Sequence, residues 1–222
     1  MYADITYNSK NRLARFSHRK RLSIALKFML NKGSNKVLDY GAGDGKFLKD
    51  LLLNNTSFEL NAFEPIMEIE KTEGITVFAD IKKIINNNYD IITCFEVLEH
   101  FNKEAQLEIL ANLDKMLDDD GFVIISVPIE IGFPSLVKNV RRMLNGNTNF
   151  SYLKNTLKSF VGLDIPEIRT QEGYIYSHIG FNHKKLEKLF LEKFKITQKT
   201  TSPFVGLPTA INSQVFYKLV KK

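Results

Sequence analysis

One cysteine among 222 residues, Cys94, leaves no partner for an internal disulfide and no thiolate set for a structural zinc ion, so nothing in the chain asks for an oxidising compartment. No apolar run approaches the roughly 20 residues of a membrane-spanning helix. The first residues, MYADITYNSK, lack the basic-then-apolar layout of a secretory signal, and the expected location is the cytoplasm. Internal repeats and low-complexity tracts are missing too. Hydrophobic residues at 44% and charged residues at 25% exclude collagen-like, coiled-coil and disordered classes. At 25.5 kDa the chain is larger than one core needs and smaller than two full domains, which predicts a single elaborated domain over residues 1–222.

Acid is scarce in two stretches. Residues 5–38 hold nine Lys/Arg and no Asp or Glu, and residues 131–163 hold five, again with no acid. The remaining 17 basic residues face all 25 acidic ones, so a chain of net charge +6 consists of two basic segments on a body at −8. Such fields attract anions, whether nucleic acid, phosphorylated metabolites or an acidic membrane surface; solvated helix faces are the plain alternative.

What is present is an alternation of strands and helices. Leu22, Ala25, Leu26 and Met29 follow the i, i+3, i+4, i+7 rule within residues 18–31, predicting an amphipathic helix inside a basic N-terminal segment of residues 1–34. KVLDY, FELNAFEP, ITVFAD, YDIITCFEV and GFVIISVP read as five strands, several of them continuously apolar as in a sheet covered on both faces. FLKDLLLN and residues 103–117 read as helices, the second ended by Asp119, Asp120 and Gly121. After Pro128 the rhythm breaks for about 50 residues, too long for an ordinary strand–helix loop, and a helical lid insertion over residues 129–177 is expected, with amphipathic helices at 134–144 and near 150–161. Asn182 then caps another helix, FKITQKT is a sixth strand and SQVFYKLV a seventh. Because only TSPFVGLPTA joins these last two, the seventh strand must run antiparallel. The predicted fold is α/β: a doubly wound, Rossmann-like, seven-stranded, mostly parallel sheet with an antiparallel last strand and a helical insertion after strand five.

The chemistry collects at the carboxyl ends of these strands. Gly41, Gly43 and Gly45 form a turn between strand one and a helix, where backbone N–H groups and the positive helix end receive an anionic ligand group. The spacing is GxGxG and not the GxGxxG of dinucleotide sites, which weakens a pyrophosphate reading. Glu64, 23 residues after Gly41 at the tip of strand two, can accept from both hydroxyls of a ribose. A nucleoside ligand satisfies both features.

VLDYGAGDGKF, AFEP, FAD, YDIITCFEVLEHF and GFVIISVP, in that order, resemble the motifs of class I S-adenosylmethionine-dependent methyltransferases, of the small-molecule type 11 and 12 groups. Tyr40, Ala42 and Asp44 replace commoner residues without removing a needed glycine. The resemblance implies S-adenosylmethionine as cofactor. It implies that Asp39, Gly41, Ala42, Gly43 and Gly45 hold the amino-acid end, Glu64 and Pro65 the ribose, Asp80 and Ile81 the adenine, and Phe95 and Glu96 the region of the reactive methyl. For Asp80 a helix cap is the competing reading.

Methyl transfer from a sulfonium is an in-line displacement that depends chiefly on placing three atoms in line. A hydroxyl acceptor benefits from a base, and His178, in YSHIGFN before the last helix, is the candidate catalytic residue. His100 is assigned with Arg141 and Arg142 to the acceptor side. Glu96, Glu99 and His100, at i, i+3 and i+4, could share a metal on one helical turn, but no metal is expected. His18 and His183 read as surface or capping positions. The expected acceptor is a small anionic molecule, phosphorylated or lipid-linked, with O-methylation preferred, transient membrane-surface contact compatible and nucleic acid not expected. An RNA methyltransferase and a catalytically silent cofactor-binding partner protein are the alternatives, and a nicotinamide oxidoreductase is disfavoured by the glycine spacing.

Overall fold

The computed structural model describes residues 22–29, 36–54, 57–131, 158, 160 and 181–222. Most of the basic N-terminal segment, most of the expected lid, and the candidates Arg141, Arg142 and His178 lie outside the described residues.

Seven strands form one sheet: β1 (Lys36–Tyr40), β2 (Glu59–Phe63), β3 (Ile75–Phe78), β4 (Tyr89–Phe95), β5 (Leu117–Pro128), β6 (Phe194–Ser202) and β7 (Gln214–Lys221), in the order β3-β2-β1-β4-β5-β7-β6. The pairs from β3 through to β5 are parallel, and β7 is antiparallel to both of its neighbours, as the short β6–β7 connection requires. The chain order reverses between β1 and β4, which opens the crevice at the carboxyl ends where ligands of such sheets bind.

Alternate residues of the central strands feed two cores, as the two-residue period of a strand dictates. Leu38, Ile92, Cys94, Ile125 and Tyr217 pack with Leu110 and Leu113 of helix α3 (Lys103–Met116) and with Leu186 and Phe190 of helix α4 (His183–Lys193). Val37, Ile91, Ile124 and Phe216 pack on the other face with Ile24 and Met29 of helix α1 (22–29) and with Leu48 and Leu51 of helix α2 (Lys46–Leu53). Lys218 of β7 ties this second layer down: its Nζ lies 3.7 Å from the Phe122 ring centroid and donates to the Phe28 carbonyl at 3.0 Å.

Two local expectations need correction. Asp119, Asp120 and Gly121 do not end α3; the helix passes at Leu117 (φ −78°, ψ 136°) straight into β5, and the acids form the exposed, irregular start of that strand. The connections before and after β3 contain no α-helix: residues 64–74 are irregular, and residues 79–88 hold a 3₁₀ turn, Ile81–Lys83. Pro65 and Gly74 bracket a stretch without a helical apolar period, so nothing there has a face to bury.

Candidate functional site

The turn after β1 is closed by β2. The N–H groups of Gly41 and Ala42 donate to the Phe63 carbonyl at 2.8 and 3.1 Å, and the Gly45 N–H donates to Ala42 at 2.9 Å. Gly41, Gly43 and Gly45 have φ of 78°, 57° and 73°, the left-handed region that side chains avoid. Two of them are required for different reasons. A Cβ on Gly41 would lie 2.5 Å from Val97 Cγ2, so this glycine admits the loop after β4. A Cβ on Gly43 meets nothing within 4 Å, so this glycine faces open space.

Glu64 stands over the same turn, 8% exposed. Its Oε2 accepts from the Gly43 N–H at 2.8 Å, and its Oε1 accepts from Ile66 and Met67 at 3.0 and 3.1 Å. A carboxylate has about four lone-pair positions, so three backbone donors fix its direction and leave capacity for a ligand hydroxyl. Pro65, next along, is exposed.

Asp39, 3% exposed at the end of β1, accepts from Thr93 Oγ1 at 2.7 Å. Burial pushes its carboxyl up to about 7 from 3.8, against the Thr93 bond, and the neighbouring Glu64 and Asp44 push it further. A cation beside it would reverse that shift. Thr93 carries no motif signal; its position opposite Asp39 in the β1–β4 ladder is what reveals it.

Asp80 is exposed, and its Oδ1 accepts from the Lys82 N–H at 2.9 Å, capping the 3₁₀ turn that begins at Ile81. The cap is therefore present, and it occupies one of the two oxygens. Ile81 is half-buried against the α3/α4-side core. Both lie just past β3, whose Phe78 pairs with Phe63, so they share an edge with Glu64.

Phe95 and Glu96 end β4. The Phe95 ring meets Phe47 of α2 edge-on, with centroids 4.9 Å apart, and lies 6.1 Å from Phe216. Glu96 has φ 55° and is the one non-glycine residue among those described with a positive φ. Such a backbone costs about 1–3 kcal/mol and collects at ligand sites. It is held from β5: Glu96 N–H donates to the Ser126 carbonyl at 3.0 Å, and Ser126 Oγ donates to Glu96 Oε1 at 3.2 Å.

His100 closes a 3₁₀ turn, Leu98–His100, and is half-buried; Glu99 beside it is 2% exposed. The left-handed Glu96 breaks the helical turn that would have aligned Glu96, Glu99 and His100, and among the described residues no group of three or more His, Cys, Asp or Glu is arranged to hold a metal. Burial raises the Cys94 thiol well above its usual range, so it is a core side chain. His183 is not at the surface. It is 1% exposed, its two ring nitrogens have no hydrogen-bond partner among the described residues, and burial lowers it to about 4 from 6.5.

The residues present fit a nucleoside with an amino-acid tail: an open glycine cradle, a carboxyl raised by its burial that a cation would settle, and an acid with spare acceptor capacity. No curated protein matches the chain. Among solved structures, it is similar to magnesium protoporphyrin IX methyltransferase from Synechocystis PCC 6803 with bound S-adenosylhomocysteine, at 14% identity and TM-score 0.60, covering 99% of this chain and 92% of that one. It is also similar to 1,6-didemethyltoxoflavin-N1-methyltransferase from Burkholderia thailandensis, at 16% identity and TM-score 0.59, covering 100% and 85%. These likenesses establish the fold. A family model described as a methyltransferase domain matches residues 11–163, well over half of the chain. With that match added to the glycine turn and its acidic partners, the chain belongs to the methyltransferase domain family and is an S-adenosylmethionine-dependent methyltransferase of class I fold.

Proposed function

We propose that the protein methylates a small anionic acceptor, with a hydroxyl oxygen as the preferred atom. S-adenosylmethionine, when bound, supplies a methyl group activated by a positive sulfur. This chain's residues do the rest. Asp39 meets the cofactor's ammonium, and the open side of the glycine turn at Gly43 receives the rest of its amino-acid end. Glu64 accepts from the ribose hydroxyls, and Asp80 with Ile81 receives the adenine. Phe95 and Glu96 border the methyl, where a left-handed Glu96 turns the chain away and leaves room for an acceptor.

The observation that carries the cofactor assignment is the Gly43–Glu64 bond at 2.8 Å, which joins the two motifs that must grip one nucleoside. The anionic acceptor is supported by chain direction. β5 delivers the chain at Pro128 on the carboxyl face, and from there the acid-free, five-fold basic stretch of residues 131–163 departs. Arg141 and Arg142 are assigned to acceptor binding and His178 to taking the hydroxyl proton, with His100 at the rim. Positioned proton removal is worth about 10²–10⁴ in rate.

Calorimetric titration with S-adenosylmethionine, S-adenosylhomocysteine and NAD tests the site. Micromolar binding of both sulfur nucleosides, none of NAD, and about a hundredfold loss in Glu64→Ala are expected, since three backbone donors lose their charged acceptor. Preference for NAD would overturn the reading. Once an acceptor is in hand, Arg141→Ser with Arg142→Ser raises its KM with unchanged cofactor Kd; an unchanged KM removes the anionic assignment.

A further inference from the structure

Two side chains at the carboxyl end of the sheet are polar, buried and without a hydrogen-bond partner among the described residues. Ser202 and Gln214 are opposed in the β6–β7 ladder and are 0% and 1% exposed. Neither the Ser202 hydroxyl nor either end of the Gln214 amide has a hydrogen-bond partner among the described residues. Buried polar groups are almost always paired, because an unpaired one forfeits its hydration with no return. Two of them facing each other on adjacent strands mark a place where something else supplies the bonds.

Their position says what that is. Phe95 pairs with Ser126 and Ser126 with Phe216, so these three form a row across β4, β5 and β7 at the end where Glu96 turns. Gln214 pairs with Pro128 and with Ser202, so Pro128, Gln214 and Ser202 form the next row. Side chains two apart on a strand share a face, so the second row continues the first, about 6.8 Å nearer the carboxyl edge. Gln214 thus stands two strand spacings across and one such step along from the end of β4, about 12 Å in all, the length of a small molecule whose other end lies at Phe95 and Glu96.

We propose that Ser202 and Gln214 form the subsite that receives the body of the methyl acceptor, and that what they receive is an uncharged edge carrying both a donor and an acceptor, such as a carboxamide, a lactam or a heteroaromatic N–H/N pair. The proposal rests on the methyltransferase reading above and deepens it. A primary amide offers two donors and an acceptor, and a hydroxyl offers either, so together they match a mixed edge. Neither offers charge to balance an ion.

The test uses the full chain saturated with S-adenosylhomocysteine and titrated with acetamide and, separately, with acetate. Binding is followed through the Gln214 side-chain amide resonances in ¹⁵N-correlated NMR spectra, assigned by their loss in Gln214→Met. Acetamide is expected to shift them saturably and acetate to leave them in place. Ser202→Ala should weaken acetamide about fivefold, the loss of one neutral hydrogen bond. Gln214→Met and Ser202→Ala, which remove dry polar groups, should each melt a few degrees higher and keep the S-adenosylhomocysteine Kd. No saturable acetamide response, equal binding of acetate, or lower melting of both variants overturns the subsite while leaving cofactor binding intact. Absence of S-adenosylhomocysteine binding by the unmodified chain overturns the methyltransferase reading, and the subsite's role with it.

Discussion

The carboxyl ends of β1 and β2 and the place where β6 ends and β7 begins are built on opposite principles. At the first, polar groups hold one another across the turn: Glu64 holds three backbone donors, Asp39 holds Thr93, and Phe63 accepts from Gly41 and Ala42. At the second, Ser202 and Gln214 are buried with polar atoms that have no hydrogen-bond partner among the described residues, as do those of His183 at the start of α4. A site that binds one fixed cofactor gains from being assembled beforehand, since ordering costs are met on folding and not on binding. A site left with open bonds sacrifices stability to keep selectivity for what fills them.

The contrast extends to pH. Folded Asp39 keeps its proton up to about 7 while the unfolded chain releases it near 3.8, so its contribution to stability falls as pH rises between those values, by roughly 4 kcal/mol. His183 acts in the opposite sense. Its folded value of about 4 lies below the ordinary 6.5, so stability is lost as pH falls through that window, by roughly 3 kcal/mol. Stability is therefore nearly flat where the two overlap. Asp39→Asn leaves a curve that rises with pH, and His183→Phe one that falls; urea midpoints across the window read both. Parallel curves for the two variants would end the opposition between the halves.

Gly41→Ala brings the next largest effect. Left-handed strain and the 2.5 Å approach to Val97 together cost roughly 2–4 kcal/mol in unfolding free energy. Gly43→Ala costs only the strain, about 1 kcal/mol, yet lowers cofactor affinity at least tenfold because its methyl enters the open cradle. Similar cofactor loss at both positions, in proportion to stability, would show that the turn matters only as structure.

The smallest effect is on cofactor affinity itself. An ammonium beside Asp39 favours the carboxylate, so binding releases a proton, and affinity rises up to about tenfold per pH unit below about 7 and levels above it. Asp39→Asn flattens that profile. Calorimetry in buffers of differing ionisation enthalpy counts the proton directly.

The turn half was legible in the sequence because its requirements are local. Glycine takes three left-handed positions within five residues at no steric cost, and Glu64 announces itself by its place after an apolar strand. The antiparallel β7 followed from a connection too short for a crossover. The other half depends on pairing across strands, which sequence spacing does not encode: Ser202 and Gln214 are 12 residues apart in the chain and look like ordinary loop-edge polar residues until the ladder opposes them. His183 lies between these cases. Three residues before Leu186 and seven before Phe190, it belongs to the buried stripe of its own helix, a signal obscured by its place beside the cap Asn182. The helices missing around β3 show the converse error, in which strand alternation suggests crossover helices that the intervening residues cannot form.

The position of β7 has a consequence for synthesis. It lies between β5 and β6 although it is the last of the seven strands to leave the ribosome. Until residues 214–221 emerge, β5 keeps an unpaired edge, β6 has no neighbour, and α1, made well before them, lacks the Lys218 bond that joins it to a strand 190 residues away. A nascent chain that lacks residues 214–221 therefore carries a paired β1–β2 side and an unclosed β5–β6 side.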